Sequence, residues 1–280
     1  MDYLTEKRLV RLAFDRAAKS YDASAVLQRE VNERMRSRLD YVKILPETIL
    51  DAGSGTGAGK RDLQEIYPDA RIVELDLSFS MLLKARPVWW KRLFKSPMQI
   101  CGDIENLPIR SSSMDMVWSN LALQWCNDLD SALSGISRIL KPNGLFMFST
   151  FGPDTLKELR EAFQDSHAHV NRFIDMHDIG DALLHSGYSM PVMDMEYITL
   201  TYEDVRGVMK DLKAIGAHNV LHGRPRGLFG KSAWRQVLDR YEAKRKEGRL
   251  PATFEVIYGH AWKPEPRLPE GSHVIRFEKR

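Results

Sequence analysis

The segment Thr48-Ile49-Leu50-Asp51-Ala52-Gly53-Ser54-Gly55-Thr56-Gly57-Ala58-Gly59 restricts most what this chain can fold into. A short apolar run enters a loop with glycine at alternate positions, and a helical pattern then continues to Tyr67-Pro68. Strand, glycine loop and helix in that order let backbone approach a ligand closely and aim the unpaired N–H groups of the helix start at it. Two cofactor classes fit such a loop. Gly53-Ser54-Gly55-Thr56-Gly57-Ala58 satisfies the dinucleotide pattern G-x-G-x-x-G/A. Asp51 argues for the other class: an acid at the strand end, two residues before the first glycine, receives an ammonium group well and faces a pyrophosphate badly.

Strand and helix then alternate. Arg71–Asp76 reads as a second strand, Met98–Asp103 as a third, Met114–Ser119 as a fourth, Leu129–Leu140 as a helix and Gly144–Phe151 as a fifth strand. Helices are expected around Asp154–Gln164 and Asp178–His185, and two more strands at Tyr197–Tyr202 and Thr253–Tyr258. The expectation is an α/β fold, a Rossmann-like, seven-stranded, mostly parallel sheet with helices on both faces and ligands outside the carboxyl ends of its strands. Ahead of it, Glu6 to about Leu45 has helical periodicity, read as two helices. The implied division is a helical cap at 1–45, a core at 46–202, a helical insert at 203–250, and a final strand with its tail at 251–280.

Charge separates the insert from the rest. Residues 203–250 hold twelve Lys and Arg against six Asp and Glu, although the whole chain is only +3, too little by itself to imply a nucleic-acid partner. The two cysteines, Cys101 and Cys126, suggest neither a disulfide scaffold nor a zinc knuckle. No apolar run approaches the ~20 residues of a membrane span, and Asp2, Glu6 and Asp15 interrupt the basic residues of the N-terminus. A cytoplasmic location is expected.

Asp51-x-Gly53-x-Gly55-x-Gly57 resembles the first motif of class I S-adenosylmethionine methyltransferases. Asp76 ends the second strand where that family's acid binds the ribose hydroxyls, and Gly102-Asp103-Ile104 is similar to its adenine-contacting motif. Arg138 to Gly144 resembles its turn into the fifth strand. Ser119-Asn120-Leu121-Ala122-Leu123-Gln124-Trp125-Cys126 lacks the Asn/Asp-Pro-Pro-aromatic signature of exocyclic-amine methylation and resembles instead the malonyl-[acyl-carrier protein] O-methyltransferases of biotin synthesis. Further stretches agree with that family: Ala13-Phe14 through Tyr21-Asp22 to Leu27-Gln28, His169-x-Asn171-Arg172-Phe173, and Leu212–Ala217 with Gly223-Arg224. The resemblance implies a cofactor site of Gln28, Asp51, Gly53, Ser54, Gly55, Gly57, Asp76, Leu77, Met81, Asp103, Ile104 and Asn120. It also implies S-adenosyl-L-homocysteine as product, and an acidic acyl carrier protein bearing a malonyl thioester as partner. The basic, aromatic stretch Lys84–Lys95 departs from the family, and Leu250–Trp262 resembles a sister group, an arginine hydroxylase that assembles respiratory complex I. That activity, or a non-catalytic assembly role on the same fold, is the alternative.

Methylation of a carboxylate needs no general base, because a group of pKa near ~4 is already ionised at neutral pH. It needs alignment and a dry site, so a lid is expected from the N-terminal helices or the insert. A guanidinium fork suits the oxygen that does not attack; Arg172 and Arg224, in family-like motifs, are the candidates, with Tyr21 as a phenolic donor. His167, His169 and His177 form no convincing ligand set, so no metal is expected. The basic insert, around Lys244, Arg245 and Lys246, is the expected docking surface for the carrier.

Overall fold

The computed structural model describes residues 4–86, 98–163, 173–214 and 230–266. In the core, β1 (Thr48–Ala52), β2 (Arg71–Asp76), β3 (Gln99–Cys101), β4 (Met114–Asn120) and β5 (Leu140–Phe151) run parallel, and β6 (Ser189–Tyr202) and β7 (Leu250–Trp262) complete one seven-stranded sheet. The order is β3-β2-β1-β4-β5-β7-β6, with β7 antiparallel to both of its neighbours. Between β1 and β4 the order reverses, and the crevice beyond their carboxyl ends is where such sheets bind ligands.

Both faces are covered because buried side chains alternate along each strand. Ile49, Met116, Trp118 and Met147 point to one layer with α3 (Val26–Ser37) and α4 (Ala58–Ile66). Their neighbours Leu50, Val117 and Phe146 point to the other, with α6 (Leu129–Ile139) and α8 (Met176–His185). Asp128 starts α6 by accepting the Ser131 N–H at 2.9 Å, and Ser78 starts α5 (Phe79–Ala85) through the Met81 N–H at 3.2 Å.

Several boundaries differ from the expected ones. The third strand shortens to three residues because Asp103 turns away to cap a 3-10 turn, accepting the Glu105 N–H at 3.1 Å. The last two strands are about twice as long as expected. Pro191 and Met190, the latter at φ +49°, interrupt the pattern of β6 at a register shift, which an edge strand tolerates. Likewise Pro251 lies where β7 pairs only with β6 and β5 has already ended. The helix expected at Asp154–Gln164 is α7 (Lys157–Ala162). The N-terminal region holds three helices, α1 (Lys7–Ala17), the single turn α2 (Tyr21–Ser24) and α3, where periodicity suggested two.

The described part of the insert, α9 (Val205–Ala214) and α10 (Lys231–Glu242), packs Val205, Val208, Val237 and Tyr241 into the same apolar layer as α3 and the sheet. The Tyr241 hydroxyl donates to the Pro251 carbonyl at 2.9 Å. Lys244 pairs with Glu161 of α7, and Arg245 pairs with Glu242 while donating to the Gly248 and Glu203 carbonyls. Of the three residues expected to greet the carrier, Lys244 thus ties the insert to α7 and Arg245 ties the insert to itself. Among the described residues, no helix is long and apolar enough to cross a membrane.

Candidate functional site

The glycine loop leaves β1 at the reversal of strand order and is tied to β2 by main chain. The Gly53 and Ser54 N–H groups donate to the Leu75 carbonyl at 2.7 and 3.0 Å. Only glycine fits at 53: φ is +80°, and a Cβ would lie 2.3 Å from that of Ala122. At Gly57 φ is +79°, and a Cβ would meet Glu74 Oε1 at 2.9 Å and Ala85 Cβ at 3.1 Å. Gly57 therefore lets the loop and α4 lie close on β2, and it lines neither of the cavities formed here.

Those cavities meet over the loop. The first, about 630 Å³, lies on the β2 and β3 side, with Leu77, Met81 and Ile104 on its apolar walls and Asp76 and Asp103 as its acids. The second, about 760 Å³, lies under α3 and α4 and takes in Gln28, Asp51 and Ser54. Tyr21, Gly53, Gly55 and Asn120 line both. Apart from Gly57, every described residue expected at the site faces one or both spaces. Arg172 and Arg224, with His167 and His169, lie outside the described residues; His177 sits exposed at the start of α8 beside Asp175, 2.9 Å away.

Three acids crowd beneath the loop. Asp51 and Glu74 are register partners on adjacent strands, 2% and 0% exposed. Burial, then the charges of Glu74 and Asp76, push the Asp51 carboxyl up to about 8, although the Lys60 backbone N–H and ammonium pull the other way. Asp76 is pushed up to about 6 by burial, with the N–H groups of Ser78 and Gly55, at 2.7 and 2.8 Å, opposing. Lys60 Nζ answers Glu74 at 2.7 Å. Asp51 Oδ2, Gln28 Oε1 and Ser54 Oγ are buried without a hydrogen-bond partner, and all three residues line the second cavity. Buried polar atoms left so are rare. A carboxylate oxygen, an amide oxygen and a hydroxyl together fit a cationic group carrying N–H donors, the ammonium expected of the cofactor.

The helical cap closes the cavities from above. Val10 and Phe14 of α1 line the first, and Phe14 stacks edge-on against Trp125 at 5.2 Å between centroids. Thr5 is held by Asn127, whose side chain accepts its N–H at 2.7 Å and donates to its carbonyl at 3.0 Å. Lys7 reaches Asp103 at 3.1 Å and also Glu105. No described residue of the insert lines either cavity, so the roof among the described residues is the N-terminal helices. Tyr21 stays a neutral donor, its hydroxyl driven far above the ordinary value by burial and then by Asp76 and Asp22. Asn120 is already engaged: Ser149 donates to its Oδ1 at 2.7 Å, and its Nδ2 donates to the Gln28 carbonyl at 3.1 Å. An amide tied at both ends takes no proton from a substrate.

Sequence reasoning missed Lys7, Arg29, Asn32, Arg61 and Trp125, all in the walls of these cavities. Trp125 lay within the family-like segment after β4; the others carry no local signal.

Comparison with known proteins agrees with this architecture. Residues 50–148 match the methyltransferase domain family model. The YcgJ protein of Bacillus subtilis superposes with a TM-score of 0.59 at 15% identity, covering 85% of this chain and 99% of that one. The [4+2]-cyclase SpnF superposes at 0.53 and 18% identity, covering 84% and 86%, which shows that the fold alone does not fix the chemistry. Sequence is more specific. The malonyl-[acyl-carrier protein] O-methyltransferase of Gallionella capsiferriformans is 57% identical over 98% of this chain and 97% of its own length. Its counterpart in Nitrosospira multiformis is 57% identical over 99% and 97%. A class I methyltransferase fold and this identity along nearly its whole length place the chain in the malonyl-[acyl-carrier protein] O-methyltransferase family.

Proposed function

We propose that the protein transfers the methyl group of S-adenosylmethionine to the free carboxylate of a malonyl group carried as a thioester on an acyl carrier protein. The observation that carries this reading is the unpartnered acceptor set of Asp51, Gln28 and Ser54 in the second cavity, with no free base at the end of β4. In this reading Asp51, Ser54 and Gln28 take the cofactor's ammonium. Asp76 takes the ribose hydroxyls with the lone pairs that Gly55 and Ser78 leave free, Leu77, Met81 and Ile104 flank the adenine, and Asp103 accepts from its amine. When bound, the cofactor supplies an electrophilic methyl on a sulfonium. The protein's own part is to hold that group and the acceptor in line, worth up to roughly 7–11 kcal/mol, and to keep water out. Asn120 fixes α3 over the site, Phe14 and Trp125 close it, and neutral Tyr21 donates to an acceptor oxygen without taking a proton.

The test is incubation with S-adenosylmethionine and a malonyl-loaded carrier protein, followed by intact mass. A gain of one methylene on the carrier supports the reading. An unmodified carrier, or a gain of one oxygen on an arginine-bearing partner, overturns it.

A further inference from the structure

The second cavity is lined by groups of opposite chemistry. Its floor carries the unpartnered acceptors of Asp51, Gln28 and Ser54. Two exposed cations also line it, Arg29 from α3 and Arg61 from α4, on helices that pack against one another. Each guanidinium spends a bond on main chain, Arg29 on the Asp22 carbonyl and Arg61 on the Thr56 carbonyl at 3.1 Å. Neither forms an ion pair among the described residues. Asp22, the nearby acid in the same wall, has its Oδ1 taken by the Thr56 hydroxyl at 2.5 Å. An arginine has five N–H donors in a planar fork, so both keep most of theirs free, and that fork matches a carboxylate better than a point charge does.

We propose that Arg29 and Arg61 form a carboxylate-binding pair in the wall of the second cavity. The inference rests on the methyl-transfer reading and deepens it. Two carboxylates belong to that reaction, the amino-acid end of the cofactor and the free end of the malonyl acceptor, and either presents the same chemistry to the pair. An ammonium on the floor favours an anion nearby, which the two guanidinium groups neutralise in turn. If the carboxylate is the acceptor's, the pair does on described residues the task expected of Arg172 and Arg224.

The experiment uses Arg29→Ala and Arg61→Ala, with Arg29→Lys and Arg61→Lys as charge-keeping controls, in the full chain. Three probes are measured: S-adenosylhomocysteine affinity, 5′-methylthioadenosine affinity, and the KM for the malonyl thioester of N-acetylcysteamine. Loss of a charged hydrogen bond predicts about a tenfold or greater weakening, with only partial rescue by Lys. Weaker S-adenosylhomocysteine with unchanged 5′-methylthioadenosine, which lacks the amino-acid end, assigns the carboxylate to the cofactor. A raised KM with kcat and S-adenosylhomocysteine affinity unchanged assigns it to the acceptor. Parent values for every probe overturn the proposal, as does equal weakening of all three, which reports a damaged loop. If the parent chain binds no S-adenosylhomocysteine, the methyl-transfer reading fails first, and the two failures stay distinct.

Discussion

Asp51 has no good state in the free chain: ionised, it is a dry charge beside Glu74 and Asp76, and protonated, it gives up what a carboxylate does best. Its carboxyl is held at about 8 against an ordinary 3.8. An acid raised on folding contributes stability that is complete below its unfolded value and is lost as pH climbs through the folded one. The stability that Asp51 confers on the free protein should thus fall between about pH 4 and pH 8. Asp76, held at about 6, adds in the same direction. Asp51→Asn removes one of these slopes and leaves the other, so the melting-temperature difference, parent minus variant, should decline from pH 5 to pH 8. Parallel curves in a thermal scan would show that the carboxyl ionises freely. Asp51, the glycines and Asp76 were legible in sequence because each is fixed by its distance from a strand end. The neighbours that set their energies were less so, since Glu74 reads merely as an inward position of a short strand and Lys60 as an ordinary helix residue.

Among the elements, α1 is the one whose existence periodicity revealed and whose position it did not. Its first residue, Lys7, reaches Asp103, 96 residues away, and Thr5 just ahead of it reaches Asn127, 122 residues away, and no local pattern encodes a partner at that separation. The same holds for Arg29 and Arg61, which meet in one cavity wall only because α3 and α4 pack together. Lengths of β6 and β7 were illegible for another reason: Pro191, Pro251 and Gly259 break the apolar alternation that marks a strand. The latch from Lys7 to Asp103 and Glu105 is about three-quarters covered, and such pairs contribute on the order of 1 kcal/mol. Lys7→Met keeps the aliphatic stem and removes the charge. We expect S-adenosylhomocysteine to dissociate about fivefold faster in stopped-flow displacement, with the melting temperature shifted by no more than about 4 °C. An unchanged off-rate would mean that α1 covers the cavity without gating it.

At the scale of the whole molecule, net charge alone does not say which cations are free to meet a partner. The insert's excess of Lys and Arg is real, yet Lys244 and Arg245 are spent on Glu161 and Glu242. Reversing both to Glu should leave the protein folded, since exposed ion pairs are screened by solvent, and it should leave the ratio of turnover on malonyl-carrier to turnover on the small malonyl thioester unchanged. A selective loss of carrier turnover would restore those residues to a docking role. Seven strands and their two apolar layers were legible because alternation repeats along the chain, whereas the place of the seventh strand within the sheet was not.

That place has a consequence for how the protein is made. Since β7 lies between β5 and β6 and pairs with both, a nascent chain that has emerged as far as β6 has no seat for it. Until residues 250–262 leave the ribosome, β5 presents an open row of backbone donors and acceptors, a template for pairing with another chain. The parallel half that bears the glycine loop can assemble early, while the sheet closes only once residues 250–262 are available. Synthesis therefore passes through an interval in which the ligand-binding half is built and its flank is sticky, and slow translation beyond β6 should raise aggregation more than slow translation before it.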